Sequence, residues 1–213
     1  MDGLKPLTAS KVMQDAPVIP VIVIDELTHA VPLAKALLAG GIRMLEVTLR
    51  TSQGLEAIRA IASEVPDVVV GVGTVRNAHQ VQEAFKAGAR FAVSPGLTVS
   101  VANACKELGL PLLPGVSTAS EVMLAQELGF NELKFFPAVP AGGVKMLQAL
   151  GGPFTNVKFC PTGGISLANA GEFLALKNVV CVGGSWLVPP QALELGDWGL
   201  ITSLALQASR LKG

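Results

Sequence analysis

Two ionisable side chains stand where a sequence ordinarily carries apolar ones. Lys134 lies in the stretch Glu132-Leu133-Lys134-Phe135-Phe136-Pro137-Ala138, after an apolar helix-like run, and Glu46 lies in Arg43-Met44-Leu45-Glu46-Val47-Thr48-Leu49-Arg50. An interior ammonium is expensive unless it is paired or neutral. Two readings follow. In the first, Lys134 and Glu46 form a core salt bridge that only ties strands together. In the second, lost hydration favours a free amine that attacks carbonyl carbons, and a carboxylate nearby moves protons. Lys158, in Val157-Lys158-Phe159-Cys160-Pro161, also stands three residues before a proline, so spacing does not choose between the two lysines.

The elements that must position these groups repeat along the chain. AGGIRMLEVTLRT (39–51), AGARFAVSPGLT (87–98), LGLPLLPGVST (108–118) and LGFNELKFFPA (128–138) share one plan: helix end, Gly, apolar run, then Pro, Thr or Gly. Each reads as a helix C-terminus handing over to a buried strand. Further strands are expected near 17–24, 68–75, 156–164 and 179–187, with helices between them. Asn77, and Thr118 or Ser120, are the expected caps of the helices that follow them. Eight strand–helix units predict an α/β fold with a parallel sheet closed into a (β/α)8 barrel, in a single domain over 1–213. A helical segment at about 1–16 precedes it and a helix at about 198–211 ends it. The alternative is an open doubly wound sheet with a dinucleotide site. GVGTVRNA (71–78) matches that motif weakly, lacking its third glycine and a later acidic residue.

A barrel places chemistry at the C-terminal ends of its strands. Alternation puts Leu45, Val47 and Leu49 under the helices and turns Glu46, Thr48 and Arg50 inward. Lys134 shares a face with Phe136, which would help keep water from the amine, while Leu133 and Phe135 take the opposite face. Thr162-Gly163-Gly164-Ile165-Ser166 follows the seventh strand and Gly183-Gly184-Ser185 the eighth. Those two loops recurrently bind phosphate through exposed backbone N–H groups, and glycine lets the backbone approach the oxygens. A phosphorylated small molecule is the implied ligand.

Composition excludes several other classes. Sixteen basic side chains balance sixteen acidic ones, which removes the electrostatic reason to expect nucleic acid or an anionic membrane as partner. No apolar run approaches the roughly 20 residues of a membrane span. The N-terminal MDGLKPLTAS carries no apolar signal core, and Cys105, Cys160 and Cys181 lack metal or disulfide spacing. A cytoplasmic protein is expected, its thiols acting as small core hydrophobes. His29 and His79 fall in helical segments, where surface positions are expected.

Taken together, EVTLRT (46–51), GVGTV (71–75), SPG (94–96), PGVST (114–118), KFFPA (134–138), FCPTGG (159–164) and GGSW (183–186) resemble the 2-dehydro-3-deoxy-6-phosphogluconate (KDPG) aldolases. The likeness runs from about Pro17 to Val188. It implies a (β/α)8 barrel, commonly a homotrimer, that reversibly cleaves a phosphorylated keto acid to pyruvate and glyceraldehyde 3-phosphate, often acting also on 4-hydroxy-2-oxoglutarate. The resemblance implies Lys134, rather than Lys158, as the Schiff-base lysine and Glu46 as the proton-transferring carboxylate. It implies Arg50 and Thr74 at the pyruvate carboxylate, Thr162 as a stereochemical influence, and Gly163, Gly164, Gly184 and Ser185 at the phosphate. Pro95 and Phe136 belong to the implied pocket. No metal or other cofactor is implied. An isomerase or cyclase acting on a phosphorylated metabolite, or a barrel that only binds one, remain the alternatives from the residues alone.

Overall fold

The computed structural model describes residues 7–211, so the first six residues of the expected N-terminal segment lie outside it. Nine short strands form two parallel sheets among the described residues. In the larger, β5 (Leu112–Leu113), β4 (Ala92–Val93), β3 (Val69–Gly73), β2 (Met44–Thr48), β1 (Val18–Ile22) and β9 (Val182–Gly184) lie side by side in that order. The smaller runs β6 (Gly115–Val116), β7 (Glu132–Phe135), β8 (Lys158–Pro161). The fifth expected strand is divided into β5 and β6 at Pro114, which has no N–H to give to a ladder. Isolated parallel bridges at Phe159–Val179 and Thr162–Gly183 reach from β8 toward β9.

Parallel neighbours need crossovers, and helices supply them. α2 (Ala30–Ala39), α3 (Gly54–Glu64), α4 (Ala78–Lys86), α5 (Val99–Glu107), α6 (Ala119–Glu127), α7 (Gly143–Gly151) and α8 (Ala170–Leu174) follow successive strands, after the N-terminal α1 (Ala9–Gln14). α9 (Pro190–Glu194) and α10 (Trp198–Ser209) end the chain, and α10 lies against α2, where Thr202 Oγ1 donates to Ala36 O at 3.0 Å. Asn77 caps α4 through Gln80 N, as expected. Thr118 rather than Ser120 caps α6: its hydroxyl accepts from Glu121 N at 3.3 Å while Glu121 Oε2 accepts from Thr118 N at 2.9 Å and from Ser117 N at 2.7 Å.

Alternation sorts the core into two layers. Leu45, Val47, Val70, Val72, Leu133, Phe135 and Phe159 pack between sheet and helices, with Phe135 and Phe159 edge to face at 6.3 Å. Ile19, Met44, Phe91, Val93, Leu113, Cys160 and Cys181 gather on the other face, where α1 adds Val12 and Met13. All three cysteines are buried, as expected. Burial pushes the Cys105 thiol up to about 12, and a hydrogen bond with Cys160 together with burial raises Cys181 further from ionisation. No helix among the described residues is long and apolar enough to cross a membrane.

Glu121 ties acidity to stability. Partial burial opposes its charge, but the N–H and hydroxyl groups of Ser117 and Thr118 outweigh that and hold the carboxyl below its ordinary value. A depressed folded value contributes stability above the unfolded value, lost as pH falls through the folded one. Glu121→Ala is expected to cost about 1 kcal/mol at neutral pH. The difference from the parent closes under acid, measured by urea unfolding at neutral pH and near pH 3.

Candidate active site

The even-numbered side chains of β2 turn away from the helices, so Glu46 and Thr48 share the inner face with Met44. β7 presents Lys134 from the other sheet, opposite in sense to Leu133 and Phe135. The two charged groups meet: Lys134 Nζ lies 3.4 Å from Glu46 Oε1, with the residues 4% and 3% exposed. The same amine stands 5.1 Å from the centre of the Phe136 ring, a cation–π contact from the next inward residue. The chain then leaves β7 through a cis Phe136–Pro137 bond. Removing one partner of so buried a pair strands a charge, at a cost of about 3–5 kcal/mol.

Glu46 owes its place to β3. A Cβ on Gly73 would overlap its Oε1, Cγ and Cδ, so the carboxylate lies directly over that glycine's backbone. The next residue, Thr74, takes φ 61°, the one non-glycine left-handed residue among those described. That conformation is costly for a β-branched side chain and persists only where its surroundings impose it. Arg50 follows β2, exposed and bordering a cavity.

That cavity, of 330 Å³, opens at the C-terminal ends of β1, β8 and β9. Arg50, Phe136 and Thr162 line it together with Gly163, Gly164, Gly184 and Ser185. Gly163 and Gly164 hold φ 103° and 79°, a left-handed pair that turns successive peptide groups without a side chain in the way. Thr162 is 6% exposed, and its Oγ1 donates to Cys160 O at 3.4 Å. A Cβ on Gly183 would overlap that hydroxyl. Such a cradle of glycine backbone beside a guanidinium suits an anionic oxygen group.

Apart from Pro95, the sequence-predicted residues therefore fall into two adjoining groups. Lys134, Glu46 and Phe136 are in contact, with Thr74 one residue from the glycine that backs Glu46. The residues around the cavity form the second group, and Phe136 belongs to both. Pro95 follows β4, and its carbonyl lies so close to Gly115 that a Cβ there would overlap it. Lys158 sits two residues lower in register, since Lys134 pairs with Cys160 and Lys158 with Glu132. Its Nζ donates to Lys177 O at 3.0 Å, beside a separate 440 Å³ cavity with Phe154 and Asn178 at the N-terminal strand ends. His79 is exposed on α4. His29 is half-buried against Trp198 at 5.9 Å and lines a further cavity of 440 Å³ that shares Val21, Arg50 and Ser185 with the 330 Å³ one. Sequence reasoning passed over Val21 and Gly73. Alternation from Ile19 marks Val21 as inward, and a glycine inside a buried apolar strand signals a close approach.

These features define a parallel α/β protein that holds a buried amine and carboxylate on the inner face of its strands, next to a glycine-lined cavity at their C-terminal ends. The chain belongs to the KDPG and KHG aldolase family, whose model matches residues 9–204. It is 58% identical over 201 residues to the KHG/KDPG aldolase of Escherichia coli, covering 94% of each chain. The 2-dehydro-3-deoxy-phosphogluconate aldolase of Dickeya dadantii is 59% identical over 201 residues, again covering 94% of each. Among solved structures, KDPG aldolase from Legionella pneumophila, with pyruvate captured at low pH as a covalent carbinolamine intermediate, superposes with a TM-score of 0.94 at 49% identity. The match covers 95% of this chain and 98% of that one.

Thr74 yields a direct test of imposed backbone strain. Thr74→Gly is expected to leave unfolding free energy unchanged or raise it by up to about 1 kcal/mol, relief of the left-handed threonine offsetting the greater freedom of unfolded glycine. A loss above about 1 kcal/mol in urea unfolding contradicts the strain.

Proposed function

We propose that this chain is a class I, Schiff-base aldolase. It reversibly cleaves 2-dehydro-3-deoxy-6-phosphogluconate to pyruvate and glyceraldehyde 3-phosphate, the aldol step of the Entner–Doudoroff route, and also 4-hydroxy-2-oxoglutarate to pyruvate and glyoxylate. The observation that carries the reading is the buried 3.4 Å contact between Lys134 and Glu46. The covalent pyruvate carbinolamine of the Legionella relative supports it.

In this mechanism the Lys134 amine adds to the C2 ketone, and loss of water leaves an iminium. Glu46, directly or through one water, takes the C4 hydroxyl proton. The C3–C4 bond then breaks, its electron pair passing to the iminium nitrogen to leave an enamine and the free aldehyde. Glu46 returns its proton to C3, and water releases pyruvate from the lysine. The iminium is the electron acceptor, so the chemistry calls for no metal. Arg50, in a two-point contact, and Thr74 hold the pyruvate carboxylate. Gly163, Gly164, Gly184 and Ser185 take the phosphate, which aligns the aldehyde portion at a distance from the breaking bond. Thr162 bears on the configuration of the new carbinol, Phe136 lines the pocket, and Pro95 is assigned to it by the family resemblance.

The two sheets read as arcs of one closed (β/α)8 barrel, a single domain. Two features support this: β5 and β6 flank Pro114 as halves of one strand, and bridges join β8 to the β9 segment. A homotrimer belongs to the same reading. It is supported by the family resemblance and by apolar side chains left in water, such as Val99 at 51% and Met123 at 55% exposure.

Borohydride reduction in the presence of pyruvate should inactivate the protein and add the reduced pyruvyl mass to the peptide containing Lys134. An unmodified chain, or an adduct on Lys158, overturns the assignment. Lys134→Gln is expected to abolish cleavage, a loss of at least about a thousandfold in kcat. Glu46→Gln should still be trapped by borohydride while cleavage slows by about 10² to 10⁴. Both variants can be followed by coupling pyruvate release to lactate dehydrogenase.

A further inference from the structure

Gly73 is a glycine without a backbone reason to be one. Its φ lies outside the left-handed region, unlike that of Gly163 or Gly164, so an alanine could adopt the same main-chain conformation. The residue that does take the left-handed conformation is its neighbour Thr74. What excludes a side chain at 73 is Glu46, whose Oε1, Cγ and Cδ occupy the place of a Cβ. The parallel register pairs Gly73 with Thr48 and pairs Glu46 with Gly71, two residues back. The Glu46 side chain therefore leans along its strand toward the C-terminal ends and comes to rest over Gly73. The oxygen resting there is Oε1, the one that stands 3.4 Å from the Lys134 amine.

We propose that Gly73 is a positioning residue for proton transfer: by presenting bare backbone it seats the Glu46 carboxylate within reach of both the lysine nitrogen and the substrate carbon. The proposal rests on the aldolase reading above. A methyl group at 73 displaces Oε1, and a displaced base is slow to move the proton between its oxygen and C3 of the enamine. Imine formation, which needs the Lys134 amine and the C2 ketone, is less sensitive to that displacement. Gly71 differs in what it makes room for, since a Cβ there would meet the ring of Phe91 in the core.

The test separates the two steps. Solvent-deuterium exchange into the methyl group of pyruvate, followed by proton NMR, reports Glu46-mediated proton transfer; borohydride trapping at Lys134 reports imine formation. In Gly73→Ala, exchange is expected to fall about 100-fold while trapping stays within about threefold of the parent, as for a misplacement on the order of 1 Å. Shortening the carboxylate should compensate. Glu46→Asp slows exchange in the parent but raises it several-fold in the Gly73→Ala background.

Unchanged exchange in Gly73→Ala, an equal fall of exchange and trapping, or an aspartate effect of the same sign and size in both backgrounds overturns the proposal. If Gly73→Ala does not fold, Glu46→Ala/Gly73→Ala should fold, because the overlap is gone. Failure of that double variant, with Glu46→Ala itself folded, also overturns it. A parent protein that pyruvate and borohydride leave unmodified counts instead against the aldolase reading.

Discussion

The molecule is organised around one buried charge contact. Lys134 and Glu46 come from different sheets, from strands far apart in sequence, and meet at 3.4 Å with almost no access to water. Neither charge is stable there alone, so the two sheets must be held at a fixed separation for the pair to exist. The apolar layers hold it: one presses the helices onto the outer faces, the other fills the inner side below the pair. A structural salt bridge and a reactive amine–carboxylate couple are thus one arrangement. In the proposed mechanism alignment decides the difference, because the carboxylate that pairs with the amine is also the group that would carry a proton once a ketone reaches the nitrogen.

Much of this was legible beforehand. The helix-end, glycine, apolar-run plan located the strands, and period-two alternation in 43–50 put Glu46 and Thr48 on the inner face, where both are buried. Lys134 and Phe136 were legible as companions for the same reason. The division at Pro114 was less visible. A proline at the end of an apolar run marks either the finish of a strand or a break within it, and only the pairings of neighbouring strands distinguish the two.

The choice between Lys134 and Lys158 shows where linear pattern stops. Both lie three residues before a proline in short apolar strands, yet the register places Lys158 two residues lower, at the edge facing away from Glu46. Height within a sheet comes from hydrogen bonding between strands, and no local spacing encodes it. The same holds for the glycines. Pairs such as Gly163-Gly164 announce a turn, whereas Gly73 and Gly183 matter for the neighbouring atoms that rest on them, which are contributed by residues distant in the chain.

The two tryptophans carry a practical consequence. Tyrosine is absent from the sequence, and Trp186 and Trp198 are its only indoles. Trp186 packs its ring over Gly184, beside the glycine-lined cavity, and Trp198 meets the edge of His29, which lines the adjoining cavity. Ultraviolet emission from the unlabelled protein thus originates from two rings that each touch a wall of the chambers sharing Arg50, so the chambers lie within reach of an intrinsic optical reporter.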